Sequence, residues 1–161
     1  MDIGAYEYNP SAPIANAGPD QTLESGATAT LDGSASSDPG SETLTYLWSR
    51  VSCITVTLSD TTTVQPTFTS PSGGTDGQSL TFELEVTNET GLKNSDNVII
   101  NVNPAVGSLK VNLSPQVAIN AGAKWNVDGG GWQDSGAAVS NVIVGDHTVN
   151  YKAVERWDAP I

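Results

Sequence analysis

Between Leu80 and Thr87 the chain alternates without a break: Leu80, Phe82, Leu84 and Val86 are apolar, while Thr81, Glu83, Glu85 and Thr87 are polar. Side chains on a strand point alternately to opposite faces, so this period of two predicts a strand with one face in a core and one in water. The same pattern recurs on both sides of it. Ala27, Ala29 and Leu31 point inward against Thr28 and Thr30; Leu44, Tyr46 and Trp48 share a face; Ile54, Val56 and Leu58 alternate with Thr55 and Thr57 in a strand from Cys53 to Leu58; Val98, Ile100 and Val102 line a strand from Asp96 to Asn103. Ile14–Ala17 predicts a short edge strand that Gly18-Pro19-Asp20 stops and Gln21–Glu24 continues. Pro66 cannot donate a ladder hydrogen bond, so a strand over Val64–Thr69 belongs at an edge or is bent.

Asp/Ser/Gly-rich segments separate these runs, notably Asp32–Glu42, Ser72–Gly77 and Asn88–Gly91. The large indole of Trp48 cannot be covered by one sheet, so a second sheet must face it. Seven or so short strands with near-regular turns and no 3.6-residue period predict an antiparallel β-sandwich.

Beyond Asn103-Pro104-Ala105-Val106-Gly107, a short linker over 104–107, the alternation resumes more weakly. Leu109, Val111 and Leu113 alternate with Lys110 and Asn112, and Trp125 and Val127 flank Asn126. Asp128-Gly129-Gly130-Gly131 turns the chain into Trp132; Val139, Val142 and Val144 mark another strand, and His147, Val149 and Tyr151 share a face of the last clear one. The expected fold class is therefore all-β: an antiparallel β-sandwich over 13–103, followed by a second, smaller all-β domain over 108–161.

The 161 residues suit two thin cores better than one thick interior. Charged residues make up 15%, below the roughly 25% of an ordinary soluble domain. The net charge of -12 is uneven. Through Val106, 13 acidic residues face Arg50 and Lys93, a net of -11; from Gly107 onward, 5 face Lys110, Lys124, Lys152 and Arg156, a net of -1. The acidic first part disfavours nucleic acid and anionic membranes and favours cations. No apolar run approaches the roughly 20 residues of a membrane helix, which argues against membrane insertion. Cys53 is the only cysteine, so no intramolecular disulfide forms; a buried structural thiol is expected, an interchain disulfide being the alternative.

The segments Ala17-Gly18-Pro19-Asp20-Gln21, Leu31-Asp32-Gly33-Ser34, Ser37-Asp38-Pro39-Gly40, Leu44-Thr45-Tyr46-Leu47-Trp48, Leu80–Thr87 and Ser95-Asp96-Asn97-Val98 together resemble a PKD-type (polycystic kidney disease) domain in its bacterial or archaeal surface-protein form. The resemblance spans Pro13–Asn103 and implies an immunoglobulin-like module of an extracellular multidomain protein. Two features depart from it: Trp48 is followed by Ser49-Arg50-Val51 rather than Asp-Phe-Gly-Asp-Gly, and Asn88 stands where Asp is common. Ala123–Gly130 with Gly145-Asp146-His147-Thr148-Val149 resembles PEGA-like β-repeats, which implies further strands after Trp157-Asp158-Ala159-Pro160 and hence a truncated second domain. Ile3–Tyr8 is similar to the closing segment of parallel β-helix domains, making residues 1–12 the tail of an upstream domain or a linker.

Calcium is the candidate cofactor, because a hard cation takes six to eight oxygen ligands and these loops are rich in them. Asp32, Ser34, Ser36, Asp38 and Glu42 crowd one turn region, and Asp20 and Asp96 could approach it. The PKD resemblance adds Asn16, Asp38 and Asn88 as the nearest equivalents of a calcium site near the domain entrance. Against this, Asp and Ser in tight turns commonly bond their own backbone N–H groups. His147 is the lone histidine, which leaves no His-based triad and no multi-His metal site; it is expected to be a packing or surface residue. Glu83 and Glu85 share a wet face rather than a cleft, and no nucleophile-elbow, phosphate-loop or dinucleotide motif occurs, so no enzyme is expected.

Trp125, Trp132, Trp157 and Tyr151 form a dense aromatic group. Such rings either fill a small core or stack on sugar faces, and Trp132, Trp157 and Tyr151 are the candidates for a carbohydrate platform. The expected function is a non-catalytic spacer or adhesion module of a larger secreted or cell-surface protein, stiffened by short linkers with calcium as a candidate. Its expected partners are other domains of the same parent, a cell-surface protein or a polysaccharide. The alternative is an accessory carbohydrate-binding module of a secreted polysaccharide-degrading enzyme.

Overall fold

The computed structural model describes residues 11–52, 54–72, 74–152 and 154. The chain divides into two compact units between Pro104 and Ala105. Cys53, Trp157 and the segment Ile3–Tyr8 lie outside the described residues.

In the first unit, β1 (Gln21–Leu23), β3 (Thr45–Arg50), β5 (Gln78–Thr87) and β6 (Lys93–Val102) form one sheet in the order β1-β6-β5-β3, and β2 (Thr28–Thr30) pairs with β4 (Thr67–Thr69) in a second. The long hairpin β5–β6 runs in continuous register from Gln78 opposite Val102 to Thr87 opposite Lys93. On β5 the sequence period holds throughout: Leu80, Phe82, Leu84 and Val86 are buried and the residues between them partly exposed. Backbone bonds extend the β2–β4 pair at both ends, with Leu31 N–H donating to the Pro66 carbonyl at 2.9 Å, Gly33 N–H to Val64 at 3.0 Å and Ser70 N–H to Ala27 at 2.8 Å.

Trp48, opposite Leu84, is only 1% exposed and donates its indole N–H to the Thr63 carbonyl at 3.1 Å. The indole is thus sealed in the core while its polar atom is satisfied. Gly33 passes so close above this core that a Cβ there would lie 2.9 Å from Leu84 Cδ2 and 3.4 Å from Trp48 Cζ2. A side chain there would press on the packed Leu84, so this close approach favours Gly.

Three local expectations are corrected. Residues 54–58 keep their alternation, with Ile54, Val56 and Leu58 packed against the core, but they form no ladder. The Arg50 guanidinium donates to the carbonyls of Ser52 and Ile54, taking acceptors a neighbouring strand would use. Ile14–Ala17 is no strand either; it holds a single bridge between Ile14 and Ser37. The sandwich is not wholly antiparallel, because β1 pairs with β6 in parallel, Gln21 opposite Ile100 through Leu23 opposite Val102.

The second unit holds β7 (Val106–Lys110), α1 (Gln116–Asn120), β8 (Trp125–Val127), β9 (Ala138–Ile143) and β10 (Val149–Tyr151). β7 pairs with β9 and β8 with β10, both antiparallel, and Trp125 bridges Gln133 across the hairpin turn. Val106 and Gly107, expected in the linker, already belong to β7. The helix is also unanticipated, since five residues are too few to display a 3.6-residue period. Only Ala118 of α1 is buried, and Gly122, at φ +96°, ends the turn by donating its N–H to the Ile119 carbonyl at 3.0 Å. Among the described residues no helix is long and apolar enough to cross a membrane.

Candidate functional site

The polar residues singled out for calcium do not converge on one point. They divide into three sets, each occupied by hydrogen bonds. The first runs along the seam between the incoming chain and β6. Asn94 Nδ2 donates to the Pro13 carbonyl at 2.9 Å, Asp96 Oδ2 accepts the Ala17 N–H at 2.9 Å, and Asp20 Oδ1 accepts the Ile99 N–H at 2.8 Å. Ser36 Oγ accepts the Asn16 N–H at 3.0 Å and donates back to the Asn16 carbonyl at 3.3 Å, while Asn16 Oδ1 accepts the Gly18 N–H at 2.9 Å. Side chains thus tie the incoming chain to β6 ahead of its backbone pairing with that strand, and the short β1–β6 ladder takes over at Gln21.

The second set surrounds Asn88, which is 5% exposed. Its Nδ2 donates to Asp38 Oδ2 and to the Ser11 carbonyl, both at 3.1 Å; its Oδ1 accepts from Thr90 Oγ1 at 2.8 Å and from the Leu92 N–H at 2.9 Å. Asp38 Oδ1 accepts the N–H groups of Gly40 at 2.8 Å and Glu42 at 3.1 Å, and Glu42 Oε2 accepts that of Thr90 at 3.2 Å. Burial opposes ionisation of Asp38, but the bonds from Asn88, Glu42 and Gly40 outweigh it and hold the carboxyl below the ordinary range. The third set is local: Asp32 Oδ1 accepts the Ser34 N–H at 2.9 Å, and bonds from Ser34 and Gln65 lower its carboxyl.

This arrangement does not fit one shared cation site. The amide of Asn88 already stands between two oxygens, and among the described residues no three carboxylate, imidazole or thiol groups gather closely enough to hold a metal. Carboxylates whose lone pairs face backbone N–H groups act as turn fasteners. The structure thus places Asn16, Asp20, Ser36 and Asp96 along the first seam, Asp38, Glu42 and Asn88 around the second set and Asp32 in the third.

In the second unit, Trp125 is fully buried and donates its indole N–H to the Asp134 carbonyl at 3.1 Å, whereas Trp132 is 45% and Tyr151 65% exposed. A hollow of about 340 Å³ beside Tyr151 is lined by Asn112, Ser114, Lys124 and Lys152 among others. On another part of this unit, Asp128 and His147 pair at 2.7 Å, and Asp128 Oδ1 accepts the Thr148 N–H at 2.9 Å. Sequence reasoning missed this pair. Nineteen positions separate the two residues, and only the pairing of β8 with β10 brings them together.

The K319L-like PKD domain family matches residues 17–102, more than half of the chain. The chain belongs to this family. The PKD match covers the first unit from Ala17 through Val102 and therefore both sheets of the sandwich. A solved PKD domain, from the KIAA 1837 protein, is 30% identical, covers 62% of this chain and 98% of its own, with a TM-score of 0.49. A nucleoside hydrolase-related hypothetical protein from Saccharophagus degradans, associated with carbohydrate metabolism, is 24% identical with a TM-score of 0.53; the match covers 62% of this chain and 27% of that one. The likeness is one of fold. No curated protein sequence matches the chain.

Proposed function

We propose that the chain is a non-catalytic spacer within a larger secreted or cell-surface protein, and that the PKD sandwich holds its neighbours apart. The observation that carries this reading is the direction of its first and last segments. Ser11 is bonded at the Asn88 turn, whereas Asn103 leaves at the far end of β6, its N–H donating to the Leu23 carbonyl at 2.7 Å and its side chain to Glu24 at 2.9 Å. The chain enters at one end of a ten-residue strand and leaves at the other, a separation of roughly 33 Å at about 3.3 Å per residue. Hydrogen bonds supply the stiffness at both ends.

Replacing residues 17–102 in the parent protein by an unrelated sandwich of equal end-to-end span should preserve the parent's surface function. Loss of function in that chimera would overturn the spacer reading. Whether calcium adds to this stiffness is decided by a melt with calcium and with chelator. The spacer held by hydrogen bonds gives no shift, whereas a site filled at 100 times its dissociation constant would add about 2.7 kcal/mol and several degrees.

A second reading, an accessory carbohydrate-binding module in a PEGA-like second domain, is favoured by the exposed rings of Trp132 and Tyr151 and by the polar hollow beside Tyr151. Polysaccharide binding by the whole chain that disappears in Trp132→Ala or Tyr151→Ala would establish it. Retained binding in both variants would reject these rings as the platform.

A further inference from the structure

The only histidine of the chain stands in the connection between β9 and β10. Its Nδ1 lies 2.7 Å from Asp128 Oδ2, and its Nε2 contacts the carbonyl oxygen of Ile143. Both partners are acceptors. A neutral imidazole carries one N–H and can satisfy one of them, leaving a lone pair aimed at the other; an imidazolium carries two and satisfies both. Asp128 is fixed in place for this contact. Its φ is +52°, its own N–H donates to the Thr148 carbonyl at 2.8 Å, and its Oδ1 accepts the Thr148 N–H at 2.9 Å. The ring is therefore held between a turn at the end of β8 and the last residue of β9.

The segment it fastens borders a hollow. Ile143, Val144, Gly145 and His147 form part of the wall of an open hollow of about 400 Å³, which Gly107–Leu109 also line. We propose that His147 is a proton-operated latch: doubly protonated, it bolts the β9–β10 connection to the β8 turn, and on losing one proton it releases one of the two contacts and loosens that wall. The charged groups that act on the ring are Asp128, across from it, and Asp146, beside it in the chain. The bond to Asp128 and then the bond to Ile143 raise the imidazole above its ordinary value, against a smaller opposing effect of burial. The carboxyl of Asp128 is lowered, first by Thr148 and then by His147.

Because the chain has one histidine, its ring signals in a proton–carbon NMR titration of the full chain are unambiguous. The midpoint is expected above the roughly 6.5 of a free histidine, with both ring nitrogens protonated below it. Across that midpoint, amide exchange of Val144–Thr148 should quicken while the amides of β5 and β6 stay protected. Asp128→Asn should weaken proton affinity and move the midpoint down toward that of a free histidine. A wild-type midpoint at or below that of a free histidine, or a titration that leaves the 144–148 amides unchanged, would overturn the latch. The wild-type experiment decides the matter even if the variant does not fold.

Discussion

The two units bury their interiors on different scales. The first places twelve apolar residues in one continuous core, among them Trp48, Phe68, Phe82 and five aliphatic side chains that are wholly enclosed on β5 and β6 beside Leu31. The second, among its described residues, buries Ala118, Trp125 and the polar Asn126, while Val106, Ile143 and Val144 remain exposed. A small domain buries a smaller fraction of its surface, so a single large side chain carries more of its stability. In the sandwich, polar side chains fasten the seams of an already sufficient core; in the second unit, Trp125 is the core's main occupant.

The sharpest way to test that contrast is to remove each buried indole. Trp48→Ala and Trp125→Ala should each cost about 3–5 kcal/mol. The first should lower the melting of the sandwich and leave it folded; the second should abolish amide protection in the second unit and leave β5 and β6 protected. Simultaneous loss of both units in Trp125→Ala, read by hydrogen exchange, would mean that they stand or fall together.

Gly33→Ala should follow, at about 1–3 kcal/mol, because the added methyl meets Leu84 Cδ2 at 2.9 Å in a packed interior. Chemical denaturation measures it, and an unchanged midpoint would show that Leu84 can rotate away. Asn88→Ala should cost a comparable or somewhat smaller amount, about 1–3 kcal/mol, since it strands the Asp38 carboxylate, the Ser11 carbonyl and the Leu92 N–H together. Asn88→Asp keeps the shape of the side chain but removes the donor. If it is as stable as the wild type without added cation, the amide donor is not what holds Ser11.

The two units should also differ in their response to pH. Asp38 is depressed in the folded sandwich, so its contribution is complete above the ordinary carboxylate value and is lost as pH falls through the lower folded value. His147 is raised in the second unit, so its contribution is complete below about 6.5 and is lost as pH rises through the higher folded value. Asp128 gives the second unit an acid limb as well, so the alkaline limb is the discriminating one. Unit-resolved amide exchange should loosen the second unit, and not the first, on passing to alkaline pH. Equal loosening of both would remove the distinction.

Much of the sandwich was legible because burial on one face enforces a period of two. The alternation at Leu80–Val86, the shared face of Tyr46 and Trp48 and the inward set Val98, Ile100 and Val102 all stand in the structure as the pattern requires. Pairing was less legible. Alternation states which side is wet but not which segment lies alongside, so the parallel β1–β6 contact and the missing ladder at 54–58 could not be read from it. The polar residues were recognisable as a set, yet composition does not say where their lone pairs point. Asp96 and Asn94 reach back about 80 positions to Ala17 and Pro13, and only the folded register makes those bonds. Asp128 and His147 escaped notice for the same reason.

The parallel course of the incoming segment and β6 has a mechanical consequence. A pull applied at Ser11 and at Asn103, which lie at opposite ends of the seam, would slide the two segments lengthwise past each other. Sliding strains the rungs from Gln21 to Leu23 and the side-chain bonds at Asp20, Asp96 and Asn94 in concert. A hairpin drawn apart from its open end instead yields one rung at a time. The PKD unit is thus fastened along its line of tension.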